Sequence, residues 1–388
     1  MEQQRNSERL CRLALYLALK LNTGSFHRVI RQVGSAEEAF SERDLDIAGV
    51  NLTPLLTFGL IEEAHERFNE AEKSGVDIII WGDDNYPLRL DEIPDPPPVL
   101  WVKGTLLPTD QYSVALVGSR KASREALNTA RRLGRDGARR GLTIISGLAK
   151  GIDALAHQGA LEGGGRTLAV LGSGLNWVYP RENARLYEQI AAQGALISEF
   201  PPEVQPYPPN FPRRNRVVAG LSLAVVVVEA GQKSGALITA RLALELNREV
   251  MAAPGAAGSS LAQGNNNLIR TGAALVESID EVLMEIKPRL LEGLSAIEDD
   301  TETASDDFSG PEVKDESAPP EDIPAPFPDG SPEALVLTDL KRQGPMDLDR
   351  LSRSTGLTLA DLLVMVLNLE MDGHITKLPS GMYEMTKK

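Results

Sequence analysis

The chain has 388 residues, 40 Lys and Arg against 55 Asp and Glu, and a formal net charge of −15 at pH 7. The length predicts about two to three domains, and an apolar content of 42% is enough to build buried cores. A single cysteine, Cys11, excludes a disulfide framework and a cysteine-based metal site, as expected of a protein in a reducing cytoplasm.

Residues 1–75 show helical spacing, with Leu10, Leu13 and Leu17 followed later by Leu56, Leu60, Ala64 and Phe68. The first apolar stretch is interrupted by Arg12, so it reads as an amphipathic helix rather than a secretory leader. No apolar run reaches the ~18 residues a membrane span needs, and no membrane association is expected. Gly24 and Gly34 punctuate this segment as turns, which suggests a small SAM- or helix-hairpin-helix-like domain. Residues 76–110 are strand-like and proline-rich and lead into the core domain.

From 111 to 287 strand and helix patterns alternate. Apolar, β-rich runs occur at 114–117, 142–145, 167–171, 195–197, 223–228 and 250–253. Runs apolar throughout, such as Val225 to Val228, suit strands covered on both faces. The alternation predicts an α/β fold with a doubly wound parallel sheet over 76–287. Residues 288–330 read as an acidic disordered linker, because a segment rich in acids, Pro, Ser and Thr cannot bury enough apolar surface to offset its ordering. Between Glu292 and Asp329 there are 13 acids and one lysine, whereas Gln111 to Leu290 holds 21 Lys and Arg against 15 acids. The acidic chain thus contains a basic middle, the usual footprint of an anion-binding surface. Residues 331–388 read as three helices (332–342, 347–355 and 359–372) and a hairpin turning at Pro379, Ser380 and Gly381, the order of a winged helix.

In a doubly wound sheet ligands bind beyond the carboxyl ends of the strands. The loops expected there repeat one composition of glycine, small hydroxyl residues and a cation: Gly118-Ser119-Arg120, Ser146-Gly147 through Lys150-Gly151, Gly172-Ser173-Gly174, Arg213-Arg214-Asn215-Arg216 and Lys233-Ser234-Gly235. Glycine admits close backbone approach, helix-start N–H groups hold phosphate oxygens, and Lys and Arg neutralise charge. Neither a GxxxxGK loop nor a GxGxxG loop is present, so no nucleotide cofactor is expected. Several cradles in a row suit a polymer of phosphates, and six prolines between Pro201 and Pro212 suit a stiff loop on which Tyr207 could stack an unpaired base or pack beneath the loop, while packing beneath the loop accounts for Phe211 more simply. The cations expected to meet phosphates are Arg120, Lys150, Arg214, Arg216 and Lys233. The backbone N–H groups expected to help lie near Gly118 and Ser119, Gly147, and Ser234 and Gly235.

Five motifs resemble those of the DNA-processing protein A family (DprA/Smf). They are Gly118-Ser119-Arg120, Ser146 to Asp153 with Ala156-His157, Phe211 to Arg216, Lys233 to Ala240, and Leu268 to Ala273. The resemblance implies an extended Rossmann-like fold that dimerises, binds single-stranded DNA without catalysis, protects incoming strands and loads the recombinase RecA in natural transformation. It also implies a departure at Lys150, where the family usually carries arginine. Two other readings bear on function. Asp153 and His157, four apart on one helix, form a conceivable acid–base pair, though a helix-start aspartate and a structural histidine account for them more simply. Lys233-Ser234-Gly235 stands where the nucleotide phosphoribohydrolases carry a PGGxGTxxE loop, with Thr239 in place of the catalytic glutamate. The segment 359–372 has no Lys or Arg, so the last domain is expected to act as an interaction hub for protein rather than to grip duplex DNA.

Overall fold

The computed structural model describes residues 2–41, 46–47, 50–51, 57–301 and 331–357, and beyond them residues 362, 365–366, 369, 374–378 and 382–386. The chain divides into two compact units, Met1–Val282 and Leu283–Lys388.

The first unit opens with helices α1 (Glu2–Ala18), α2 (Thr23–Val33) and α3 (Ala36–Ser41). A two-residue strand pair, β1 (Asp46–Ile47) and β2 (Val50–Asn51), and helix α4 (Phe58–Lys73) follow. Helix α2 begins where the Asn22 side chain accepts a hydrogen bond from Ser25 N at 2.9 Å. It ends at Gly34, whose φ of +103° suits a residue without Cβ. Gly24 lies within α2 and makes no turn; the turn before it is formed by Lys20 and Leu21, both at positive φ.

The strands come next: β3 (Asp77–Ile80), helix α5 (Leu88–Asp91), β4 (Val99–Gly104) and β5 (Ser113–Gly118). Strands and helices then alternate as α6 (Arg124–Arg139), β6 (Thr143–Ser146), α7 (Ile152–Glu162), β7 (Thr167–Val170), α8 (Ala184–Gln193), β8 (Ala195–Ser198), α9 (Asn210–Gly220), β9 (Ala224–Glu229), α10 (Gly235–Glu245), β10 (Glu249–Ala252), α11 (Gln263–Arg270) and β11 (Ala274–Leu275). Among the described residues they build a nine-stranded sheet ordered β11-β10-β9-β5-β6-β7-β8-β4-β3. Strands β5 to β11 pair in parallel, while β4 runs antiparallel to β8 and β3 to β4.

This is the expected doubly wound α/β fold, with every residue of β9 buried. The chain steps outward from β5 to β8 and then returns to lay β9 beside β5, so the topological switch lies between β5 and β9. The core joins the first helices to the sheet: Leu13, Tyr16, Phe26 and Val29 pack in one cluster with Ile78, Ile80, Trp101 and Leu196. The N-terminal helices therefore share a core with the α/β layer.

Helix α12 (Ile279–Thr301) continues through Pro288. The stretch read as linker from 288 is thus helical as far as Thr301, and 302–330 lie outside the described residues. The second unit adds α13 (Pro332–Gln343), α14 (Leu348–Thr355) and the hairpin β12 (Ile375–Lys377) with β13 (Tyr383–Met385) around a core of Val336, Leu340, Leu351, Leu369 and Tyr383. The helix expected over 359–372 and the turn at 379–381 lie mostly or wholly outside the described residues. Among the described residues no helix is long and apolar enough to cross a membrane.

Candidate nucleic-acid interface

A cleft of about 760 Å³ opens at the switch point, walled by the loops after β5, β6 and β9 and by one face of α9. Of the residues read as binding from sequence, Gly118, Ser119, Arg120, Gly147, Arg214, Asn215, Lys233, Ser234 and Gly235 line it. Ser146, Lys150, Gly151, Arg213 and Arg216 do not.

The loop after β5 is fixed from beneath. Ser119 N donates to Glu229 O at 2.7 Å, and the Glu229 carboxylate accepts from both N and Oγ of Ser123, the residue that caps α6. Gly151, at φ +80°, lets the next loop press against this one; a methyl there would sit 2.4 Å from Ser119 O. These contacts project Arg120 and Lys121 into the cleft, and Lys233 enters from the β9 side. All three cations are exposed, and no carboxylate pairs with them among the described residues. Arg120 stacks over the Phe211 ring at 5.4 Å, and Phe211 meets Tyr179 at 5.5 Å, giving the cleft an aromatic wall.

Several expected contacts are spoken for inside the protein. Ser119 N and Ser234 N donate to Glu229 O and Gly231 O, and Gly147 N donates to Asp153, so these groups are not waiting for phosphate. The Gly235 N–H at the start of α10 has no acceptor among the described residues, and a side-chain methyl on Gly235 would meet nothing within 4 Å. Ser146 is buried, its hydroxyl donating to Leu116 O at 2.6 Å as part of the sheet edge. Lys150 turns outward to Glu182 at 2.6 Å. Gly172 is a seat for the Phe211 ring, and Gly174 packs on the Pro201 and Pro202 carbonyls, so this loop is packing rather than a phosphate cradle.

The largest correction concerns the arginines after Pro212. The sequence reading placed them in one extended loop, but Asn210 to Gly220 is helix α9. A helix sends residues at i, i+3, i+4 and i+7 to one face, here Phe211, Arg214, Asn215 and Val218, which line the cleft. Arg213 and Arg216 lie on another face. Arg213 donates to Tyr16 Oη, Leu21 O and Thr23 Oγ1 and pairs with Glu199, while Arg216 holds Glu199 and Asp95 O. Neither guanidinium is available to a ligand in the cleft.

Arg214 forms the floor. Its buried guanidinium donates to Gly147 O at 2.8 Å and to Val170 O, tying together the ends of β6 and β7. Desolvation pulls its pKa down to about 10, against the pull of Asp153, so it is still a cation at neutral pH. Asp153 is raised by burial, against Arg214 and the N–H groups of Ala149 and Gly147. His157 does not join it. That imidazole is fully buried with Nδ1 2.6 Å from Thr167 Oγ1, whose hydroxyl proton goes to Ile144 O. Nδ1 is therefore the protonated nitrogen, and burial pushes the pKa down to about 3. A neutral histidine locked against the amino ends of β6 and β7 cannot act with Asp153 on a ligand in the cleft.

Lys121, Tyr179 and Leu261 line the cleft without having been singled out in the sequence. Lys121 stood beside Arg120 and was legible as a further cation. Tyr179 had no signal of its own, since its place depends on the fold. Tyr207 is 60% exposed and does not line the cleft, whereas Phe211, expected to pack beneath the loop, sits on Gly172 and also lines the cleft.

Two family models match: DNA recombination-mediator protein A over residues 77–287 and DprA winged helix domain over residues 318–381. The chain is similar to Protein Smf of Synechocystis sp., 37% identical over 320 residues that make up 78% of each chain. Among solved structures, DNA processing protein A from Streptococcus pneumoniae superposes with a TM-score of 0.58 at 35% identity, covering 70% of this chain and 95% of that one. DNA processing protein A from Helicobacter pylori, studied for its unique single-stranded DNA binding mode, superposes with a TM-score of 0.50 at 28% identity, covering 56% of this chain and 96% of that one. The chain belongs to the DNA recombination-mediator protein A family.

Proposed function

We propose that this protein binds single-stranded DNA in the cleft at the switch point, without chemical change to the strand. The observation that carries the reading is the pairing of three exposed cations, Arg120, Lys121 and Lys233, with the Tyr179–Phe211 aromatic wall in one cleft. Phosphates give binding its charge dependence, and every unpaired base offers a face to an aromatic ring. Arg214 adds positive potential from below, and a charge in a low-dielectric setting is felt further than one in water. The single-stranded DNA binding of the Helicobacter pylori relative supports this reading. By the same family relation we assign the chain a cytoplasmic role in natural transformation and DNA recombination: it protects the incoming strand and loads RecA on it, as a homodimer whose two clefts share one strand and gain avidity.

The test is binding of a fluorescent oligothymidylate and of a duplex of equal length over a salt series. Three neutralised phosphates predict a log–log salt slope of about −2 for the single strand. Arg120→Ala and Lys233→Ala should each reduce the slope by about 0.7. A flat salt response, or duplex bound as tightly as the single strand, would refute the reading.

A further inference from the structure

Helix α9 carries two faces with different duties. Phe211, Arg214 and Asn215 line the cleft, whereas Arg213, adjacent to Arg214 in the chain, reaches in another direction. Its guanidinium donates to Tyr16 Oη at 2.9 Å, Leu21 O at 2.8 Å and Thr23 Oγ1 at 3.3 Å, all in the α1–α2 corner of the N-terminal helices. It also pairs with Glu199 at 3.1 Å and lies over the Phe200 ring at 5.2 Å. Glu199 follows β8 directly and is 1% exposed, so the anchor is tied to the sheet as well as to the helices. The first turn of α9, which carries Phe211, has no side-chain cap, and its N-cap residue is Pro209. Its N–H groups rest only on the preceding turn, Asn210 N donating to Tyr207 O at 2.9 Å and Phe211 N to Pro208 O at 3.3 Å, so this end depends on side-chain contacts to stay in place.

We infer that Arg213 is a positioning residue through which the N-terminal helices hold the first turn of α9, keeping Phe211 and Arg214 in place for a nucleic-acid strand. The effect on binding rests on the single-stranded DNA reading above, but the clamp does not. The N-terminal helices then belong to the working site although none of their residues lines it. Loss of Arg213 leaves the Arg216–Glu199 pair at 2.7 Å intact, so the buried carboxylate retains a partner and the unit stays folded.

The experiment uses the full chain carrying Arg213→Ala or the milder Tyr16→Phe, in two measurements. Amide hydrogen exchange without DNA should show faster exchange for residues 214–217 in both variants, with β9 and α10 unchanged. Oligothymidylate affinity should fall by roughly tenfold for Arg213→Ala, ~1.4 kcal/mol of binding free energy, and less for Tyr16→Phe. The salt slope should match that of the parent protein, since no phosphate contact is removed. Unchanged protection of α9 overturns the clamp whether or not the protein binds DNA. Unchanged affinity overturns its role in binding, as does a slope reduced by about 0.7, the mark of a lost phosphate contact. A parent protein that binds no single strand defeats the DNA reading alone.

Discussion

Replacing Arg214 with methionine should destabilise the fold rather than merely weaken the cleft. The guanidinium is 5% exposed and donates to two strand-end carbonyls, Gly147 O and Val170 O. Hydrogen bonds from a charged donor are worth ~1.5–3 kcal/mol each. Asp153, buried beside the same loop, would lose the nearby positive charge that favours its ionised form. These contributions overlap, so Arg214→Met should destabilise the unit by ~4 kcal/mol, which in a domain of this size lowers Tm by roughly 8–16 °C. The assay is thermal unfolding followed by circular dichroism, run on Arg214→Met, Asp153→Asn and the double variant. The double variant should lose less than the sum of the singles by ~1–2 kcal/mol, because it leaves no unpaired charge. A Tm within 2 °C or so of the parent, together with a salt slope for DNA reduced by about 0.7, would make Arg214 a phosphate ligand and refute the structural role.

Two other expectations concern the fold. His157 stays neutral in the folded state because burial pushes its pKa down to about 3, whereas the unfolded residue takes a proton below ~6.5. Its contribution to stability is thus complete above pH 6.5 and lost as pH falls towards 3, at ~1.4 kcal/mol per pH unit. Between pH 6.5 and 5 that is ~2 kcal/mol, and His157→Asn should flatten the pH dependence of urea unfolding there by about one proton; an unaltered slope would assign the effect to another group. Gly159→Ala would place a methyl 2.1 Å from Arg131 O, forcing α7 away from α6 at a cost of ~1–3 kcal/mol. An unchanged melting temperature would show that the two helices have room to part.

The sheet was legible because its strands are buried on both faces and their apolar runs have no competing helical period. Strand β11, only Ala274 and Leu275, carried no such signal and was missed. β3 and β4 were recognisable as extended, but nothing in a local pattern says that β4 joins the sheet antiparallel to β8 and β3 antiparallel to β4. The apolar stripe of α1 was equally visible, yet a stripe does not name its partner, and Leu13 and Tyr16 pack with residues of the sheet rather than forming a core of their own. The loops after β5 and β9, read from composition and topology together, both line the cleft. The arginines after Pro212 were misread because adjacency in sequence was taken for adjacency in space. Proline is tolerated in the first turn of a helix, and the spacing of Phe211, Arg214 and Val218 was the signal that separates the cleft face from Arg213 and Arg216.

The same geometry explains why lysine suffices at position 150 and would not at 214. Lys150 meets a single carboxylate, Glu182, with both side chains more than half exposed, and such a pair is worth ~0–1 kcal/mol. One ammonium satisfies that contact as well as a guanidinium. Arg213 spans acceptors on two elements and a carboxylate on a third, and Arg214 bridges two strands from one planar group. In Arg213 all of these acceptors face Nη2, whereas Arg214 holds both carbonyls with Nη1 and reaches Asn215 Oδ1 with Nε at 3.3 Å, a pair of fixed directions that a point donor on a flexible stem does not reproduce. The demand for arginine thus follows the number and direction of the internal acceptors. On the proposed single-stranded DNA reading, the exposed cations Lys121 and Lys233 are free to be lysine, because phosphates on a mobile strand would ask for charge before geometry.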